Sequence, residues 1–139
     1  MKQLKNVLRV ILIILVVFLA LSTTIGGIAL LVGWISMPLD LLQGSIFSSY
    51  VVPSLALAFI AGGSAVFAVV LLVRKSKYDL LFAATSGIVI MFFEFVEVLV
   101  IGSPGLARTL QIIYFGLGTL ITIIALGIWF IDLLNEKGN

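Results

Sequence analysis

The chain has 139 residues, of which 63% are hydrophobic and only 10% are charged, and its formal net charge is +2. So few charged residues could not cover the surface of a water-soluble domain of this size. Cysteine and histidine are both absent, which excludes disulfides, thiol redox chemistry, metal sites built from thiolate or imidazole, and catalytic triads that need histidine. The composition therefore predicts a single membrane domain with no cofactor, no metal and no catalytic residue.

Four segments are long enough to span a bilayer core of about 30 Å, which takes roughly 20 apolar residues. Residues 10–35, 41–73 and 109–131 contain no charged side chain, and residues 80–101 contain only Glu94 and Glu97. We therefore predict an all-α membrane protein, a compact four-transmembrane-helix bundle. The predicted helices cover about residues 7–35, 50–73, 79–101 and 108–133 of one domain.

The first helix has an alternative interpretation. Basic residues precede the apolar run, and the small residues Ala20 and Ser22 resemble the cleavage site of a signal peptide. However, the apolar run continues to Ile35, which is longer than the apolar region of such a peptide. We therefore expect a first helix that is retained.

Basic residues predict the orientation of the bundle, because cytoplasmic loops of membrane proteins carry an excess of Lys and Arg. On one side of the predicted bundle lie seven basic residues, Lys2, Lys5, Arg9, Arg74, Lys75, Lys77 and Lys137, and on the other side only Arg108. Both termini are thus predicted to be cytoplasmic. No basic stripe remains to bind nucleic acid once these short loops are assigned.

The longest predicted connection lies between the first two helices. Pro38 favours the start of a short interfacial helix that Gly44 would end, with Asp40, Gln43 and Ser45 at the outer membrane surface. A lid that closes the bundle and a binding loop would both have this composition.

Part of the sequence resembles a family. The segments QGSIFSSYVVP (residues 43–53), VEVLVIG (96–102) and LQIIYFGLG (110–118) resemble small four-helix bacterial integral membrane proteins of uncharacterised function. The resemblance implies a location in the bacterial plasma (inner) membrane and no particular activity. The chain differs from the small multidrug exporters, whose key glutamate lies in the first helix, and it lacks the polar motifs of the fluoride channels.

Glu94 and Glu97 are the most unusual residues of the sequence. They lie three residues apart, so they share one helix face with Ile90, Gly87 and Ser86. At about 1.5 Å per residue, Glu97 and Glu94 would lie roughly 6 and 10 Å below the outer end of their helix. Because ionised carboxylates that face lipid cost a few kcal/mol each, this face is predicted to point into the bundle.

The fourth helix supplies the predicted partners of these glutamates. Arg108 is predicted to form an ion pair with Glu97, and Glu94, which has no basic partner, is predicted to be largely protonated. Glu94, Glu97, Gln111 and Tyr114 would together form an outward-facing polar pocket that binds a ligand such as a cation or an amine.

Three functions fit this pattern. We expect a non-enzymatic ligand-binding or accessory protein of the membrane, because no nucleophile or metal ligand accompanies the two carboxylates. The alternatives are a small proton- or cation-coupled transporter or channel, working as an oligomer, and a polar cluster with a purely structural role. The expected partners are the lipid bilayer, a second copy of the chain or another membrane protein.

Overall fold

The computed structural model describes residues 1–139 and contains four long helices and no strand. The helices are α1 (Lys2–Leu31), α2 (Val51–Val73), α3 (Asp79–Ile101) and α4 (Gly105–Lys137). A short 3-10 helix, Leu39–Leu42, lies between α1 and α2. All four long helices have the length and apolar composition of membrane spans, so the all-α, four-helix prediction is confirmed.

The ends of two helices differ from the prediction. α1 begins at Lys2 and stops at Leu31, short of the predicted residue 35, because Gly33 takes a left-handed conformation with φ of +83°. α4 covers Gly105–Lys137 rather than residues 108–133. Both of its ends continue the helix beyond the uncharged run, because hydropathy predicts the membrane span and not the full length of the helix.

The four helices run alternately up and down, so that both chain termini and the loop of residues 74–78 lie together. We call this end the termini end, and we call the opposite end, with residues 32–50 and 102–104, the loop end. α1 packs against α2 and α4, and α3 packs against the same two helices. Fully buried Leu12, Leu19, Ile90, Ile121 and Ile128 fill the centre.

Small residues allow two pairs of helices to cross closely. A Cβ atom added to Gly118 of α4 would lie 2.5 Å from the carbonyl oxygen of Gly87 in α3. A Cβ atom added to Gly27 of α1 would lie 2.6 Å from the backbone nitrogen of Ala58 in α2. Such close approach brings the backbones of the paired helices into van der Waals contact. In a bilayer this packing stabilises the bundle, because the hydrophobic effect does not drive helices together there.

α2 contains a π-helical turn over Ala56–Ala61, in the half of the helix nearer the loop end. One residue of this turn, Ala58, is the residue that contacts Gly27. A π turn rotates the preceding part of a helix relative to the following part, and such turns are frequent beside functional sites.

Two ion pairs hold the termini end together. Arg9 of α1 pairs with Asp79 at the start of α3, and Lys5 pairs with Asp132 near the end of α4. The Arg9 guanidinium also donates a hydrogen bond of 2.9 Å to the carbonyl oxygen of Leu72, near the end of α2. Arg9 therefore connects three helices at one point.

Candidate functional site

The predicted polar residues at the loop end are only partly brought together. The side-chain amide of Gln111 donates hydrogen bonds to Glu97 Oε1 at 3.0 Å and to the carbonyl oxygen of Gly102 at 2.9 Å. Ser103 donates to Gln111 Oε1 at 2.7 Å. Gln111 is buried, so it fixes the Glu97 carboxyl and ties the end of α3 to the start of α4.

The predicted ion pair between Glu97 and Arg108 is not formed in the structure. Arg108 is exposed and belongs to neither of the two ion pairs. It lies nearly one turn, about 4.5 Å, nearer the start of α4 than Gln111. At that level α3 has ended, so Gln111 and not Arg108 faces Glu97.

Glu94 lies in different surroundings from Glu97. It is only 5% exposed, and no protein group donates a hydrogen bond to its carboxyl. Ala83, Ser86 and Ile90 on the same face are fully buried, which confirms that this face of α3 points into the bundle. Glu94 therefore belongs to the bundle interior, between the core and the polar contacts at the loop end.

Tyr114 is half-buried and packs against the apolar core. Its hydroxyl forms no hydrogen bond with Glu94 or Glu97. Gln111 is the only protein donor to Glu97. Of the four predicted site residues, Glu97 and Gln111 are thus hydrogen-bonded to each other, whereas Glu94 and Tyr114 take no part in this contact.

A cavity of about 430 Å³ lies between α2 and α3 near the loop end. Of its 18 lining residues 16 are hydrophobic, and Glu97 is the only carboxyl among them. Val52 and Ile60 of α2 and Ile88 and Phe92 of α3 line the cavity and are each more than half exposed. The cavity therefore opens sideways, between two helices, onto the apolar surface of the bundle.

The connection between α1 and α2 forms the roof of this cavity. Met37, Leu42 and Phe47 line it from the loop. Tyr50 also lines it, and its hydroxyl donates a hydrogen bond of 2.7 Å to the carbonyl oxygen of Pro38, which connects two distant parts of the loop. Partial burial and the nearby Glu97 carboxylate raise the pKa of Tyr50 above its usual value, so the hydroxyl remains a donor.

The short helix predicted in this connection is present as the 3-10 helix Leu39–Leu42, and Gly44 follows it with φ of +84°. Leu42 of this helix is buried. The hydroxyl of Ser45 donates a hydrogen bond of 2.7 Å to the carbonyl oxygen of Leu42. The roof is thus held by its own hydrogen bonds and by one buried leucine.

Comparison of the chain with protein-family models, with curated proteins and with solved structures finds no match. The chemistry of the cavity and its surroundings is therefore the basis for assigning a function.

Proposed function

We propose that the chain is a non-enzymatic multi-pass membrane protein that binds an amphipathic cation, an amine with an apolar body, from the bilayer. One observation carries this proposal: the lining of the lateral cavity is almost entirely apolar, and Glu97 is the only charged residue among those that line it. Its volume, about 430 Å³, falls within the roughly 300–1,000 Å³ of small-molecule sites. An apolar chain would lie between α2 and α3, and its amine would reach Glu97.

The position of Glu97 supports recognition of a positive charge. Its carboxyl is held by the buried Gln111 amide, so little freedom is lost when a ligand binds. An amine would form a charge-assisted hydrogen bond with it in surroundings that water enters poorly. No second acidic residue lines the cavity, so an acid and base pair for catalysis is missing there.

The first prediction tests the ligand class. In liposomes, a photoreactive twelve-carbon alkylamine should label residues of α2 and α3, and dodecylamine should compete while dodecanol competes poorly. Glu97→Gln should reduce the labelling about tenfold or more, because a charged hydrogen bond is lost. The labelled residues and the yields are measured by mass spectrometry.

Glu94→Gln is the matched control for this experiment. It makes the same substitution one turn deeper on the same helix, at a residue that does not line the cavity, so it should leave labelling unchanged. Equal losses in both variants, or competition by dodecanol as strong as by dodecylamine, would contradict the proposal.

The alternative function, a proton- or cation-coupled transporter or channel, has less support within one subunit. Between Glu94 and the termini end the buried centre contains Ile90, Ile121 and Ile128. The Ser86 hydroxyl donates to a carbonyl oxygen of its own helix, and the Thr122 hydroxyl donates to carbonyl oxygens of its own helix and of α3. A chain of polar groups across the bundle, which a proton or cation path needs, is thus interrupted.

We propose that this protein lies in the plasma membrane of a bacterium with both termini in the cytoplasm. The support is the charge asymmetry: seven of the eight basic residues lie at the termini end, and only Arg108 lies at the loop end. The cavity would then open in the outer half of the membrane.

The second prediction tests this orientation. The chain has no cysteine, so single cysteines can be introduced without background. In intact cells an impermeant maleimide should label Ser48→Cys at the loop end and should not label Ser76→Cys at the termini end. Permeabilised cells should show labelling of both variants. Labelling of position 76 in intact cells would reverse the orientation.

A further inference from the structure

A second cavity, of about 850 Å³, lies at the termini end. The start of α1, residues 75–79, the start of α3 and the last turns of α4 surround it. Its outer part is polar. Its inner part is apolar and continues along α3 and α4 past Leu81, Ala84 and Leu126, with the half-exposed Trp129 at its side. This gradient from charged to apolar follows the one from headgroup to acyl chain in a bilayer.

The residues that line the cavity carry one more positive than negative charge. Lys5 and Arg9 line it, but their charges are balanced by Asp132 and Asp79. Lys75 and Lys77 also line it and form no ion pair, against one unpaired acid, Glu136. The Lys77 ammonium lies 4.8 Å from the centre of the Tyr78 ring, which is itself half-exposed.

The backbone conformation of Lys75 is a second, independent observation that supports a specific role for its side chain. Lys75 lies two residues after the end of α2 in a left-handed conformation with φ of +53°, and it is the only non-glycine residue of the chain with positive φ. The Ser76 N–H donates to the Leu71 carbonyl oxygen at 3.0 Å, as in the helix ends that normally take glycine. A lysine therefore occupies a position where glycine would avoid the steric cost.

We propose that this cavity binds the phosphate of an anionic phospholipid from the leaflet at the termini end. Lys75 and Lys77 would contact the phosphate, and one acyl chain would lie along Leu81 and Leu126. Basic pockets between membrane helices bind anionic headgroups in this way. The inference rests on the proposed membrane location, and it is independent of the amine ligand and of which side of the membrane the termini occupy.

The test uses the full chain purified in a nonionic detergent, with lipid binding followed by native mass spectrometry and thermal unfolding. Dioleoyl phosphatidylglycerol should bind more tightly than dioleoyl phosphatidylcholine and should raise the unfolding temperature. Lys75→Gly and Lys77→Gln should each weaken phosphatidylglycerol binding by about fivefold. Lys75→Gly should do so while the lipid-free protein unfolds at the same or a higher temperature, because glycine fits the left-handed backbone.

Arg74→Gln is the matched control, because Arg74 is an exposed cation of the same loop that does not line the cavity. It should leave binding nearly unchanged. An equal loss in Arg74→Gln would indicate general surface attraction and would overturn the site. Unchanged binding in both lysine variants would also overturn it. Stabilisation by inorganic phosphate or glycerol phosphate equal to that by phosphatidylglycerol would overturn it in favour of a free phosphate ligand.

Discussion

Arg9→Gln is expected to destabilise the protein by about 3–5 kcal/mol, the cost of removing one partner of a buried ion pair. The Asp79 side chain is 8% exposed and that of Arg9 is 18% exposed, so water replaces the lost partner poorly. The Leu72 carbonyl oxygen loses a hydrogen-bond donor at the same time. Unfolding in mixed micelles with increasing SDS measures the effect.

The double variant Arg9→Met with Asp79→Leu should recover much of this loss, because no buried charge then remains unpaired. Lys5→Gln is the matched control at the same end of the bundle. The side chains of Lys5 and Asp132 are each 34% exposed, so water screens this pair and the expected loss is well below that of Arg9→Gln. Additive losses from Arg9→Met and Asp79→Leu would contradict a direct interaction between Arg9 and Asp79.

Gly118→Val is expected to cost about 3 kcal/mol, the upper part of the usual range for overpacking. A Cβ atom at this position would lie 2.5 Å from the Gly87 carbonyl oxygen and 2.6 Å from Ile90 Cγ2. The backbone oxygen cannot move aside without separating α3 from α4. The same SDS titration should show this variant unfolding at a lower SDS fraction than the wild type.

Gly116→Val and Gly127→Val are matched controls in the same helix, because a Cβ atom added at either position meets nothing within 4 Å. Both variants should unfold close to the wild type. If Gly116→Val destabilised the protein as much as Gly118→Val, the close crossing of α3 and α4 would not explain the loss.

Helical periodicity in the sequence predicts part of the site. Ala83, Ser86, Gly87, Ile90 and Glu94 recur at spacings of three and four residues, which places them on one face. Lipid tails accept leucine and phenylalanine but not carboxylates, so the polar and small face had to be buried. The burial of Glu94 could therefore be predicted, whereas the partner of Glu97 could not. Whether Gln111 or Arg108 faces Glu97 depends on where α3 ends and on how α4 is rotated.

The sequence by itself determined that the chain forms four helices and that positive charge collects where the termini lie, because long uncharged runs and short basic loops are local features. Only the tertiary structure decided the rest. Arg9 pairs with Asp79, which is 70 residues away in the sequence, and the cavity that Glu97 lines is formed by residues of α2, α3 and the loop before α2. In a membrane protein, apolar residues that face lipid and apolar residues that line a cavity have the same composition. Hydropathy therefore finds the helices, and packing alone decides which of their apolar faces enclose a site.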